Sequence, residues 1–108
     1  MKRTMIVLML CVGAVTSPAM GEDLVALAGA KQCFICHDGK SQVMMGPSFR
    51  DIARRYKGVS NAKSTLAEVI QSGSKGRWAA SKMPAASDRV PVSKEEAEML
   101  AEYVLSFD

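Results

Sequence analysis

Apolar positions along the chain recur at helical spacing, and nowhere do they alternate as a half-buried strand would. Leu24, Leu27 and Ala28 form one such set. Phe49, Ile52, Ala53 and Tyr56 form a second, and Leu66, Val69 and Ile70 a third, which Gly73 can terminate. In the last set Ser93 and Glu96 have the spacing of a capping box, and Ala97, Leu100, Ala101, Val104 and Leu105 follow along one stripe. The pattern predicts an all-α domain of four short helices, each with one apolar side in need of a shared centre. Two stretches between them, 38–48 and 73–92, contain Pro47, Pro84 and Pro91 together with several glycines and are predicted loops. Loops this long in a small domain are usually functional or wrapped around something.

The N-terminal segment has a different pattern. Lys2 and Arg3 precede an apolar run from Met5 to Val15, and small residues close it at Thr16 to Gly21. This is the layout of a secretory signal peptide. The run falls short of the ~20 residues that span a bilayer. Residues 1–21 are therefore expected to be cleaved, after Ala19 or Gly21, leaving 22–108 as one domain exported to the periplasm with no membrane span. Cys11, preceded by Leu10 where a lipoprotein signal would have a small residue, leaves with the signal.

Removing Lys2 and Arg3 from the chain's 14 basic residues leaves 12 against 11 acidic ones, a balance that excludes a strong nucleic-acid footprint. The distribution is uneven: residues 39–94 carry 11 basic side chains against Asp51, Glu68 and Asp88, whereas the last helix carries Glu95, Glu96, Glu98 and Glu102.

A domain of this size has difficulty burying enough apolar surface to offset its chain entropy, so a disulfide, metal or cofactor commonly completes the core. The candidate is KQCFICHDGK at 31–40, which places Cys33, Cys36 and His37, the sole histidine, within five positions. A Cys33–Cys36 disulfide would close too short a loop to constrain the chain. A zinc site of ordinary type needs four Cys or His ligands, and the mature chain has three. Thioredoxin-like CxxC chemistry belongs on a helix after a strand, and no strand is predicted. CxxCH is instead the attachment pattern of a c-type haem: the thiols of Cys33 and Cys36 add to the vinyl groups, His37 binds the iron, and Phe34 and Ile35 span the turn. A second axial ligand is sought among Met44, Met45, Met83 and Met99. Met99 lies in the last helix, where packing explains it, and Met44 and Met45 follow His37 closely. Met83 lies in a loop, outside any apolar stripe and before a backbone-fixing proline, so spacing favours it without excluding core filling.

The landmarks CFICH at 33–37, GPSF at 46–49, SGSKGRW at 72–78, KMP at 82–84 and SKEEAEMLAEYVLS at 93–106 resemble those of the small bacterial class I cytochromes c. In particular they resemble the short-chain group that donates electrons to terminal oxidases and nitrite reductases. The resemblance runs over nearly all of 22–108 and implies four short helices wrapped around one covalently bound haem c, the cytochrome c fold. It implies His37 and Met83 as axial ligands, Pro47 as the residue whose carbonyl orients His37, and Trp78 as a donor to a haem propionate. A core aromatic remains the plain alternative for Trp78. The implied function is one-electron transfer between respiratory or dehydrogenase partners docking at the haem edge, without enzymatic activity. Lys31, Lys40, Lys75 and Lys82 are candidates for a basic rim that steers an acidic partner.

The chain also departs from that family. Val69 stands where relatives often carry a propionate-pairing arginine, Lys82 precedes Met83 and Ala85-Ala86 follow Pro84 where many relatives surround the methionine with prolines and follow it with an asparagine, and three or so extra residues around Ser87 to Val90 lengthen the connection to the last helix. A haem protein with an exchangeable sixth site, a gas sensor or small peroxidase, is the rival reading, and tight carbon monoxide binding to the reduced protein separates it. A dedicated subunit of one dehydrogenase is a further alternative to a free carrier.

Overall fold

The structure, a computed structural model, describes residues 13, 20–37, 45–79 and 81–107. The expected export segment thus lies outside the described residues except for Gly13, Met20 and Gly21, as do Lys40 and Met44. Helix α1 is Met20–Ala30, α2 is the single turn Cys33–Cys36, α3 is Phe49–Arg55, α4 is Ala62–Ser72 and α5 is Lys94–Leu105. Strands β1, Ser74–Trp78, and β2, Ser81–Met83, form an antiparallel hairpin, and a 3-10 turn at Ala86–Asp88 precedes α5. The helices are those the periodicity predicts, with α2 as an added turn. The hairpin lies in a stretch the sequence presents as loop.

Helix ends follow local chemistry. The Ser48 hydroxyl accepts the Asp51 N–H at 3.1 Å to start α3. At α5 the predicted capping box forms: the Glu96 N–H donates to Ser93 Oγ at 3.1 Å, and the Ser93 N–H donates to Glu96 Oε1 at 3.0 Å. The other Glu96 oxygen meets Lys31 Nζ at 3.2 Å, so one carboxylate both caps α5 and ties it to the end of α1. Gln32, at φ 61°, turns the chain out of α1 so that Cys33–Cys36 departs on a new axis.

Helix α5 packs across α1, α3 and α4. Where it crosses α1, Ala28, Ala97 and Ala101 are fully buried, small enough for the backbones to approach. Leu100 and Val104 face inward from α5 to meet Phe49, Ile52, Leu66 and Ile70. Phe49 is the hub. Its ring stacks on His37 at 5.4 Å, tilts against Phe34 at 5.9 Å, and takes Tyr103 and Phe107 edge-on at 5.9 and 5.4 Å. Phe34 therefore does more than span the turn between the cysteines, whereas Ile35 is 64% exposed. Met99, read from sequence as packing, is 45% exposed on α5.

Candidate functional site

The helices do not close on one another completely. A cleft lined mainly by apolar side chains opens among α2, α3, α4, α5 and the hairpin. Leu66, Val69, Ile70, Leu100 and Val104 form apolar wall, and Cys33, Cys36, His37, Met83 and Trp78 all line the same space. Interiors are ordinarily packed to crystal-like density, so an open apolar cleft at the heart of so small a fold leaves room for an apolar occupant. Among the described residues no cluster of three or more His, Cys, Asp or Glu side chains is placed to hold a metal ion directly.

One helical turn organises the first three donors. The His37 N–H donates to the Cys33 carbonyl at 3.0 Å, which stacks the histidine under the first cysteine. The imidazole Nδ1 lies 2.6 Å from the carbonyl oxygen of buried Pro47. A carbonyl can only accept, so Nδ1 carries the proton and Nε2 retains its lone pair. Burial pushes the His37 pKa down, more than the Pro47 carbonyl raises it, and the Arg89 charge lowers it further. The ring is thereby held in the neutral form in which imidazole ligates. Burial likewise pushes the Cys33 thiol up, with Arg89 opposing. Gly46 is required by proximity: a Cβ there would stand 2.9 Å from His37 Cε1 and 3.2 Å from Nδ1.

Met83 reaches the cleft from the end of β2. Its position is set by Gly73, which ends α4 with its N–H on the Val69 carbonyl at 2.7 Å and leaves at φ 76°, ψ −178°. A Cβ on Gly73 would lie 2.5 Å from the Met83 oxygen, 2.8 Å from the Ala85 nitrogen and 2.9 Å from the Pro84 carbonyl carbon. The Met83 loop thus rests on bare backbone. Ser74 pairs with Met83 and Lys75 with Lys82, and the hairpin bulges between Lys75 and Trp78, where Gly76 takes φ 77°.

Trp78 ends β1 half-buried on the cleft wall, and the Arg55 guanidinium lies 4.4 Å over its ring. Arg55 Nη1 also donates to the Arg77 carbonyl at 2.5 Å, fixing the strand that presents the indole. Val69 lines the cleft where an arginine would have placed a charge. Met45 lies at the cleft but is 60% exposed.

The candidate basic rim is only partly available. Lys31 Nζ donates to the Pro91 carbonyl at 2.8 Å and pairs with Glu96, so its charge is engaged within the fold. Lys75 and Lys82 are exposed and sit opposite each other across the hairpin.

Sequence reasoning passed over two arginines. Arg55 was one basic residue among several on α3, and its partner Trp78 lies 23 positions away. Arg89 falls in the lengthened stretch after the 3-10 turn and lines the cleft. Its Nε donates to the Pro84 carbonyl at 3.1 Å, Nη2 to Ile70 at 3.0 Å and Nη1 to Lys31 at 3.4 Å. The available signal was a lone arginine within the inserted residues.

Two thiols, a neutral imidazole and a thioether on one apolar cleft are a donor set suited to haem and not to a hard cation. No family model matches the chain. Individual proteins do. The chain is 39% identical over 107 residues to cytochrome c-551 of Stutzerimonas stutzeri, covering 98% of each. It is 38% identical over 80 residues to cytochrome c-552 of Hydrogenobacter thermophilus, covering 74% of this chain and 76% of that one. The crystal structure of wild-type Nitrosomonas europaea cytochrome c552 superposes with a TM-score of 0.69 at 34% identity, covering 78% of this chain and 99% of that one.

Proposed function

This chain belongs to the small class I cytochromes c, the c-551 and c-552 group, and on that premise we propose that it is a periplasmic one-electron carrier with iron held between His37 and Met83. As a member it carries one covalently attached haem c and transfers electrons without being an enzyme. When bound, that group supplies an iron that gains and loses a single electron.

The chain's own residues supply the rest. Cys33 and Cys36 anchor the group through thioether bonds. His37 Nε2 is presented because Pro47 holds the other nitrogen, the single observation that carries the reading: 2.6 Å, in a cleft shared with both cysteines and Met83. Met83 would supply the second ligand to the iron, and Trp78, with Arg55 over its ring, would offer its indole N–H to a carboxylate of the bound group. The apolar walls from α4 and α5 exclude water, so little solvent rearranges when the charge changes.

Residues 1–21 serve as a cleaved export signal, and 22–108 form the working domain. No helix among the described residues is long and apolar enough to cross a membrane. Redox proteins dock at the cleft mouth, with Lys75 and Lys82 offering positive charge to an acidic partner.

Met83→Ala tests the ligation. The iron–sulfur absorption band of the oxidised protein should disappear and the midpoint potential, positive in the parent, should fall. A band retained in the variant, or a strongly negative midpoint in the parent, overturns it.

A further inference from the structure

Nothing in the reading above requires Arg89, yet no other side chain gathers so widely spaced a set of main-chain bonds among the described residues. It follows the 3-10 turn Ala86–Asp88, whose Ala86 is only 4% exposed and pins the inserted stretch against α4. From there its guanidinium donates to the Pro84, Ile70 and Lys31 carbonyls at 3.1, 3.0 and 3.4 Å. Pro84 directly follows Met83, Ile70 belongs to the last full turn of α4, and Lys31 lies two residues before Cys33. One planar group therefore joins the Met83 loop, the helix that backs it and the entry to the attachment turn. A fork of fixed geometry is needed for three acceptors in different directions, which a lysine ammonium on a flexible stem does not reproduce.

We propose that Arg89 is a positioning residue for the iron: it clamps the Met83 loop to the segment bearing Cys33, and its charge favours the ferrous state. The inference rests on Met83 as axial ligand. The clamp restrains a loop in which only Pro84 fixes the backbone, since neither Lys82 nor Ala85 beside Met83-Pro84 restricts it as a proline would. The charge follows from place. Arg89 lines the same cleft as Cys33, Cys36, His37 and Met83, so its fixed charge faces the space the iron group would occupy. The oxidised site carries one more positive charge than the reduced one, and a fixed cation in a partly desolvated cleft opposes that extra charge.

Arg89→Gln and Arg89→Lys in the haem-bearing protein separate the two effects. Cyanide, which takes the ferric iron's sixth position once the thioether leaves, should bind about tenfold faster to both variants, because neither side chain spans three carbonyls. Only Arg89→Gln should shift the reduction equilibrium toward ferric, by about tenfold, which is ~59 mV for a one-electron couple. Unchanged cyanide kinetics in both variants, or full restoration by lysine, overturns the clamp. A parental potential in Arg89→Gln, with far-UV helicity intact, overturns the electrostatic role. Met83→Ala keeps the premise separate: a retained iron–sulfur band there refutes Met83 ligation, whereas a lost band there with parental Arg89 variants refutes the clamp alone.

Discussion

Gly73→Ala adds one methyl to a residue that donates nothing to the site. At φ 76°, ψ −178° the residue lies in a region essentially restricted to glycine, where another residue costs about 1–3 kcal/mol. The new Cβ would also stand 2.5 Å from the Met83 oxygen, with Ala85 and Pro84 backbone atoms within 2.9 Å. Opening the closest contact to the ~3.5 Å of ordinary packing moves the Met83 backbone by about 1 Å. Sites hold their geometry only within about 0.5 Å, so the thioether should be displaced. Strain and overpacking together amount to roughly 2–6 kcal/mol. At about 4–8 °C per kcal/mol for a domain of this size, Tm should fall by roughly 8–48 °C. The oxidised spectrum should lose its iron–sulfur band at temperatures where the parent keeps it. Gly58→Ala is the matched control: it has the same φ of 76° and nothing within 4 Å, so it should incur about 1–2 kcal/mol of backbone strain with the band intact. A Gly73→Ala protein with parental band and Tm, or a Gly58→Ala protein that loses the band, refutes the steric account.

Phe49→Ala removes the ring that joins His37 and Phe34 to Tyr103 and Phe107 and should destabilise by about 3–5 kcal/mol, read by denaturant titration; a loss under about 1 kcal/mol contradicts the hub. Lys82→Glu turns a like-charge cross-strand pair with Lys75 into an opposite one and should stabilise by up to about 1 kcal/mol. The same substitution should weaken the ionic-strength dependence of reduction by an acidic partner, and unaltered salt dependence removes the hairpin from the docking surface. The Ser93 N–H first, and then Lys31, hold the Glu96 carboxyl below the usual carboxylate range. With the folded pKa depressed, the unfolded chain binds more protons in this window, so the contribution is full above the ordinary carboxylate pKa and is lost as pH falls through the folded value. Thermal melts of parent and Glu96→Gln should therefore differ at neutral pH and converge in acid; a constant gap refutes the assignment.

The helices, the Ser93–Glu96 box and the attachment turn were legible because each is written in neighbouring residues: apolar spacing, a cap pair, CxxCH. The Ser74–Met83 hairpin was not, since its strands show no alternation: three consecutive β1 residues are exposed and the burial belongs to the ends. Its form comes from Gly73, from the bulge at Gly76 and from the need to bring Met83 and Trp78 to one cleft. Arg89 was illegible for a related reason. Its acceptors lie 5, 19 and 58 positions away, and only the folded chain brings them together. Lys31, plausible as a rim charge from its place beside the motif, is withdrawn by Glu96, 65 positions on.

Gly46 and Gly73 give the site an unusual exposure to mutation. One faces His37 and the other underlies Met83, and at each a single added carbon would press on a residue proposed to hold the iron. The proposed iron site therefore depends on bare hydrogen atoms at positions that no inventory of ligands contains. A chain of this kind can drift in its iron chemistry while all of its donor residues stay the same.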